Sequence, residues 1–115
     1  MMKHAVWIAL ALAAAPLGAA YAEHGPHVAE AREHVNLALA EAKAGHAEAL
    51  SQHSQMALAH VEMALQEKQS PELDKAGQHL RESIREGQAG AADKAAEHAE
   101  QAMQQLDANA GALGG

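Results

Sequence analysis

The chain has 115 residues, 8 Lys and Arg against 15 Asp and Glu, a formal net charge of −7, 9 His, and neither Cys nor Phe. An acidic surface repels phosphate and draws in cations. Without cysteine the chain offers no disulfide, thiolate centre, iron–sulfur cluster or c-type haem attachment.

The first stretch, "MMKHAVWIALALAAAPLGAAYA", reads as a secretory signal over residues 1–22. Lys3 supplies the positive start, Ala5 to Ala15 is an unbroken apolar run, and Ala20-Tyr21-Ala22 fits the small-x-small cleavage pattern. The run is short for a membrane span and no second one follows, so the mature chain is expected to be soluble and exported, without stable membrane association. Removing residues 1–22 from 115 leaves 93 residues, enough for one small domain, and losing Lys3 changes the balance to 7 basic against 15 acidic residues. Eight histidines remain, but both aromatics, Trp7 and Tyr21, are lost. Nothing is then left on which a nucleic-acid base could stack, and nucleic acid is excluded as an expected partner.

The rest is rich in Ala, Glu, Gln, Leu and Met, and punctuated by Gly and Pro. Such composition predicts an all-α protein of four helices. Pro26 suits the first turn of the first helix, which should run to Ala44, with Gly45 taking the left-handed conformation that ends it. The second helix is expected from His46 to about Lys68. Ser70-Pro71 supplies an N-cap followed by proline and opens the third, which continues to about Glu86. Gly87 to Gly90 is the expected turn, Ala91 to Asp107 the fourth helix, and 108–115 a frayed tail that leaves 23–107 as the domain.

One heptad frame fits all four segments. Starting it at each histidine puts Val28, Val35, Ala47, Ser54, Val61, Leu73, Leu80, Ala99 and Leu106 at the next position, and Ala31, Ala38, Leu50, Ala57, Ala64, Ala76, Ser83, Ala95 and Ala102 three further on. These two rows form an apolar seam, widened by Leu39, Leu58, Leu65, Ile84 and Met103. Helices with such a seam and short connections predict an antiparallel up-and-down four-helix bundle. Its alanines bury little area each, so stability without a bound ligand should be modest. The expected state is a monomer.

At the edge of the seam the same frame holds His27, His34 and Glu41, then His46, His53, His60 and Glu67, then Glu72, His79 and Glu86, then Ala91, His98 and Gln105. Seven residues make about two helical turns, so the rings of one helix stack along one face. Groups three or four apart also meet, which brings Glu30 near His34, Glu82 near His79, and Met56 near both His53 and His60, with Met63 three beyond His60. Imidazole and carboxylate suit zinc, copper or nickel, and thioether sulfur adds a preference for cuprous ion. In a hairpin turning at Gly45, Glu41 lies level with His46, His34 with His53, and His27 with His60. A turn around Gln88-Ala89 sets His79 opposite His98, whereas one centred near Gln69 sets His60 opposite His79. The handedness of the bundle decides between them, and the sequence leaves that open.

Histidines on a helix rim can be plain polar residues that Glu or Lys would replace. Eight in 93 residues, three of them at heptad spacing in one helix, favour metal ligation, because histidine is the commonest metal ligand and only a moderate helix former. His24, close behind the expected cleavage site, adds a weaker cupric motif with the free amine. Catalysis finds no support. The residues three before His34, His53, His60, His79 and His98 are Ala31, Leu50, Ala57, Ala76 and Ala95, which removes the Glu-x-x-His of di-iron bundles. There is no HExxH, and a haem pocket lined only by alanine and leucine is a poor fit. The competing reading is an exported helical interaction or chaperone-like module whose histidines sense pH, with Leu37, Met56 and Met63 facing a partner.

The stretch "PHVAEAREHVNLALAEAKAGHAEALSQHSQMALAHVEMAL", with "GQHLRESI" and "AAEHAEQAM" after it, resembles the small metal-binding protein family. The likeness lies in the heptad recurrence of histidine beside acid and in the Gly45-His46 turn, and it spans nearly all of the expected mature chain. It implies a periplasmic four-helix bundle that binds several metal ions, copper foremost, in metal homeostasis. By position it carries over His27, His34, His46, His53, His60, His79 and His98 as metal ligands. Glu72, Glu86, Ala91 and Gln105 stand at column positions in the third and fourth helices, so fewer or weaker sites should follow there. The expected function is therefore non-catalytic buffering or sequestration of divalent transition metals, with copper favoured and zinc or nickel as further cargo.

Overall fold

A computed structural model describes residues 25–114; the expected signal segment 1–22 and His24 lie outside the described residues. Four helices follow one another: α1 Pro26–Lys43, α2 Ala47–Glu67, α3 Pro71–Gln88 and α4 Ala92–Gly114. The described residues contain no strand. No described helix is long and apolar enough to cross a membrane.

The helix ends follow from local chemistry. Gly45 (φ +79°) and Gly90 (φ +83°) adopt the left-handed conformation that closes α1 and α3. At the first turn the amide of His46 donates to the Glu41 carbonyl (2.9 Å) and that of Gly45 to Ala42 (2.9 Å); at the third, Ala91 donates to Glu86 (2.9 Å) and Gly90 to Gly87 (3.0 Å). This double closure satisfies carbonyls that a helix end would otherwise leave open. Ser70 caps α3, its hydroxyl oxygen accepting from the Leu73 amide at 3.2 Å, with Pro71 in the first turn.

Two boundaries differ from the sequence expectation. Gly87 was expected in the turn but lies in α3, buried against α2. It occupies the seam row of Leu73 and Leu80 one heptad on, so burial extends the helix past it. α4 runs beyond Asp107 to Gly114, where a frayed tail from residue 108 was expected. The reason is at hand in Asn109, which continues the inward row of Ala95 and Ala102, is 4 % exposed, and lies with its Oδ1 2.8 Å from the Ser70 hydroxyl.

The seam becomes the core. Val28, Val35, Leu50, Val61, Leu73, Leu80, Leu106 and the alanines between them are buried, with Leu39, Leu58, Leu65 and Met103 packed at the margin. Ala42, Ala47 and Ala92, near helix ends, are half-buried. A polar layer crosses this core. Ser83 Oγ donates to the Ala95 carbonyl (2.9 Å), which leaves its oxygen to accept from Ser54 Oγ (3.1 Å), while Ser51 Oγ donates to the Ile84 carbonyl (3.3 Å). Buried hydroxyls left without partners are costly, so this layer favours one register of α2, α3 and α4. Arg81 with Glu62 (2.9 Å) ties α3 to α2, and Arg32 with Asp107 (2.8 Å) ties α1 to α4.

Candidate metal centre

The four helices set two histidine edges. Along α1 and α2 the facing pairs are Glu41 with His46, His34 with His53, and His27 with His60, in opposite chain directions. The ring centroids lie 5.9 Å apart for His34 and His53, 5.8 Å for His34 and His60, and 5.4 Å for His27 and His60, so four imidazoles form one continuous zigzag. On the other edge His79 of α3 faces His98 of α4 at 5.8 Å. The alternative pairing of His60 with His79 is not formed, which answers the question of handedness that the sequence left open.

Six of the seven column histidines are half-buried, held by the helix yet open on one side. His46 is the exposed one, its Nδ1 2.8 Å from Glu41 Oε1 at the first turn. In His34, His53 and His98 the Nδ1 atom is buried and lacks a hydrogen-bond partner, so Nε2 is the nitrogen left for an incoming group.

At the end of the first edge nearest the α2–α3 connection the contacts define a chain of protons. His60 Nε2 lies 3.1 Å from Glu30 Oε2, His60 Nδ1 lies 3.2 Å from His27 Nδ1, and His27 Nε2 lies 3.9 Å from Glu67 Oε2. With both rings neutral, His60 donates from Nε2 to Glu30 and accepts at Nδ1 from His27. That leaves His27 Nε2 with a free lone pair beside the Glu67 carboxylate. A carboxylate behind an imidazole orients it and raises its basicity, as second partners of metal-bound histidines do. Glu30 therefore serves His60 across the hairpin, where spacing had set it near His34 on its own helix. Glu67 is the acid that spacing placed in the column without showing its partner.

Among the described residues, no three His, Asp or Glu side chains already converge tightly enough to hold an ion. The edge supplies donors in pairs, and exposed carboxylates such as Glu67 and Glu30 are free to swing. An open groove of about 480 Å³ between α1 and α4, lined by Asn36, Leu39, Lys43, Asp93 and Glu100 among others, carries no histidine.

On the second edge burial lowers the pKa of His79, the His98 ring adds to the effect, and Glu82 opposes it more weakly. A histidine whose folded pKa is depressed stabilises the fold fully above its ordinary value of about 6.5, and that contribution is lost as pH falls through the folded value. The His79 ring is thus neutral at pH 7 with a lone pair to offer. His98→Gln should raise the His79 titration midpoint, read from its ring proton resonances, while leaving it below the ordinary value because burial persists. A midpoint unmoved by that replacement would remove His98 as a cause.

A four-helix bundle with imidazoles paired along two edges, carboxylates beside them and no cysteine has the donor set of a metal-binding protein. The chain belongs to the small metal-binding protein family, whose family model matches residues 1–109. Comparison with curated proteins returned no match. Metal ions are accordingly its partners, and the family resemblance read from the histidine heptads is the correct one.

Proposed function

We propose that this protein buffers or sequesters transition-metal ions in the periplasm without turnover, copper being the foremost cargo and zinc and nickel also accepted. The observation that carries this reading is the four-imidazole zigzag of His27, His60, His34 and His53, with Glu30 and Glu67 at its end. An incoming cation meets His27 Nε2 and the Glu67 carboxylate first. The rings of His34 and His53 offer Nε2 further along the same edge. His79 and His98 form a second, poorer site, and His46 with Glu41 a third at the turn. Donors supplied in pairs on an open edge suit exchangeable binding, because each ion completes its shell with water and mobile carboxylates. The acidic charge of the chain concentrates cations near these edges.

A metal-competition titration of tag-free protein tests the assignment. Replacing His53 and His60 by Gln should weaken the tightest site by about 10-fold or more, since even outer partners of metal ligands contribute about 10–100-fold. His98→Gln should leave that site unchanged and remove a weaker one. Absence of saturable uptake at neutral pH would sink the reading and favour the interaction module, for which the exposed Leu37 is the supporting observation.

A further inference from the structure

Three large apolar side chains are exposed among the described residues: Leu37 on α1, and Met56 and Met63 on α2. The two methionines are 48 % and 40 % exposed, so they gain little from burial, whereas Met103 packs against the core. Each lies three residues after a column histidine, Met56 after His53 and Met63 after His60, which places thioether and imidazole on adjoining positions of one helix face. Their imidazole neighbours differ. Both nitrogens of His60 are engaged, by His27 and by Glu30. His53 has its Nδ1 buried without a partner, so its Nε2 is free, and it stacks across the hairpin on His34, whose Nδ1 is likewise buried.

We infer that Met56, together with His53 and His34, forms a site selective for a soft monovalent ion, cuprous copper, in the middle of the α1–α2 edge. The inference rests on the metal-buffering reading above and adds an oxidation state and a ligand to it. Thioether sulfur prefers cuprous ion over the harder divalent cations, whereas imidazole accepts both. A divalent ion therefore gains from the Glu67 end, with its carboxylates, and cuprous ion from the Met56 position. Met63 is the internal comparison, since the ring beside it is already occupied.

The test compares wild-type protein with Met56→Leu and Met63→Leu, two replacements close in volume and helix preference. Cuprous affinity is measured anaerobically against a cuprous chelator, and zinc affinity in parallel. Met56→Leu should weaken cuprous binding by about 10-fold or more, as loss of a ligand exceeds loss of an outer partner, and leave zinc binding unchanged. Met63→Leu should change neither. In the wild type the Met56 ε-methyl resonance should move on adding cuprous or silver ion and stay in place with zinc. Cuprous affinity unaltered in Met56→Leu, or cuprous and zinc affinities falling together, overturns the inference while divalent buffering stands. Wild-type protein that takes up neither ion overturns both.

Discussion

Saturating zinc should raise the melting temperature of this protein by about 10–20 °C. A ligand at about 100 times its dissociation constant stabilises the folded state by about 2.7 kcal/mol per site, and a domain of this size gains about 4–8 °C per kcal/mol. The gain requires that the site exist only in the folded chain. The α1–α2 edge meets that requirement because His27 and His60 come from different helices and touch at 3.2 Å only when the hairpin is closed. Replacing His27 and His34 by Gln leaves the α2 histidines His53 and His60 in place but removes their partners across the hairpin. The zinc-dependent rise, followed by circular dichroism, should then fall to a few degrees. A rise that survives this replacement would mean that zinc stabilises the fold without the α1 histidines, and the cross-helix site of the α1–α2 edge would be refuted. Histidines in the unfolded chain also bind zinc weakly, which trims the shift without abolishing it.

The hairpin geometry behind that prediction was largely legible in the sequence. Gly45 marks a left-handed residue after an unbroken helical stretch, and a tight turn there leaves no freedom in which residues of the two helices share a level. The facing of His34 with His53 and His27 with His60 follows from the turn alone. Between α2 and α3 the connection also brings the helices together, so Gln69 as a centre was equally permissible. What decides against His60 with His79 is the side of the α1–α2 pair on which α3 packs. That depends on three-helix contacts such as Ser54 with Ser83, which no single helix displays. The acids were harder to read than the rings. Glu30 is four residues from His34 and on the same helix face, yet its carboxylate reaches His60, because an exposed and flexible side chain goes to the nearest donor in space. The far end of α4 was missed because alanine and glycine after Asp107 resemble a tail, while the inward placement of Asn109 has no signature beyond its heptad position.

Gly87→Ala should destabilise the protein while Gly77→Ala stabilises it, although both residues are buried glycines of α3. In a helix, replacing glycine by alanine ordinarily gains about 1 kcal/mol. At Gly77 an added Cβ would meet Arg81 Nη1 at 3.5 Å, Leu58 Cδ1 at 3.7 Å and Val61 Cγ1 at 3.8 Å, all ordinary contacts, so the gain survives. At Gly87 the same carbon would lie 2.9 Å from the Ala47 carbonyl oxygen and 2.9 Å from Ser51 Cβ. Neither atom can swing aside, since one is backbone and the other is the first carbon of a side chain. The start of α2 must move, and overpacking of this kind costs about 1–3 kcal/mol, enough to exceed the helix gain across most of that range. Thermal unfolding in the presence of a chelator should therefore show Gly77→Ala melting about 4–8 °C above the parent and Gly87→Ala below it by a similar interval. A Gly87→Ala protein as stable as the parent would show that α2 does not rest on α3 at this point. The displacement also has a functional reading. His46 is the cap of α2, one residue before Ala47, so a shift there should loosen its contact with Glu41, whereas His27 and Glu67 lie at the opposite end of the hairpin and should bind zinc as before.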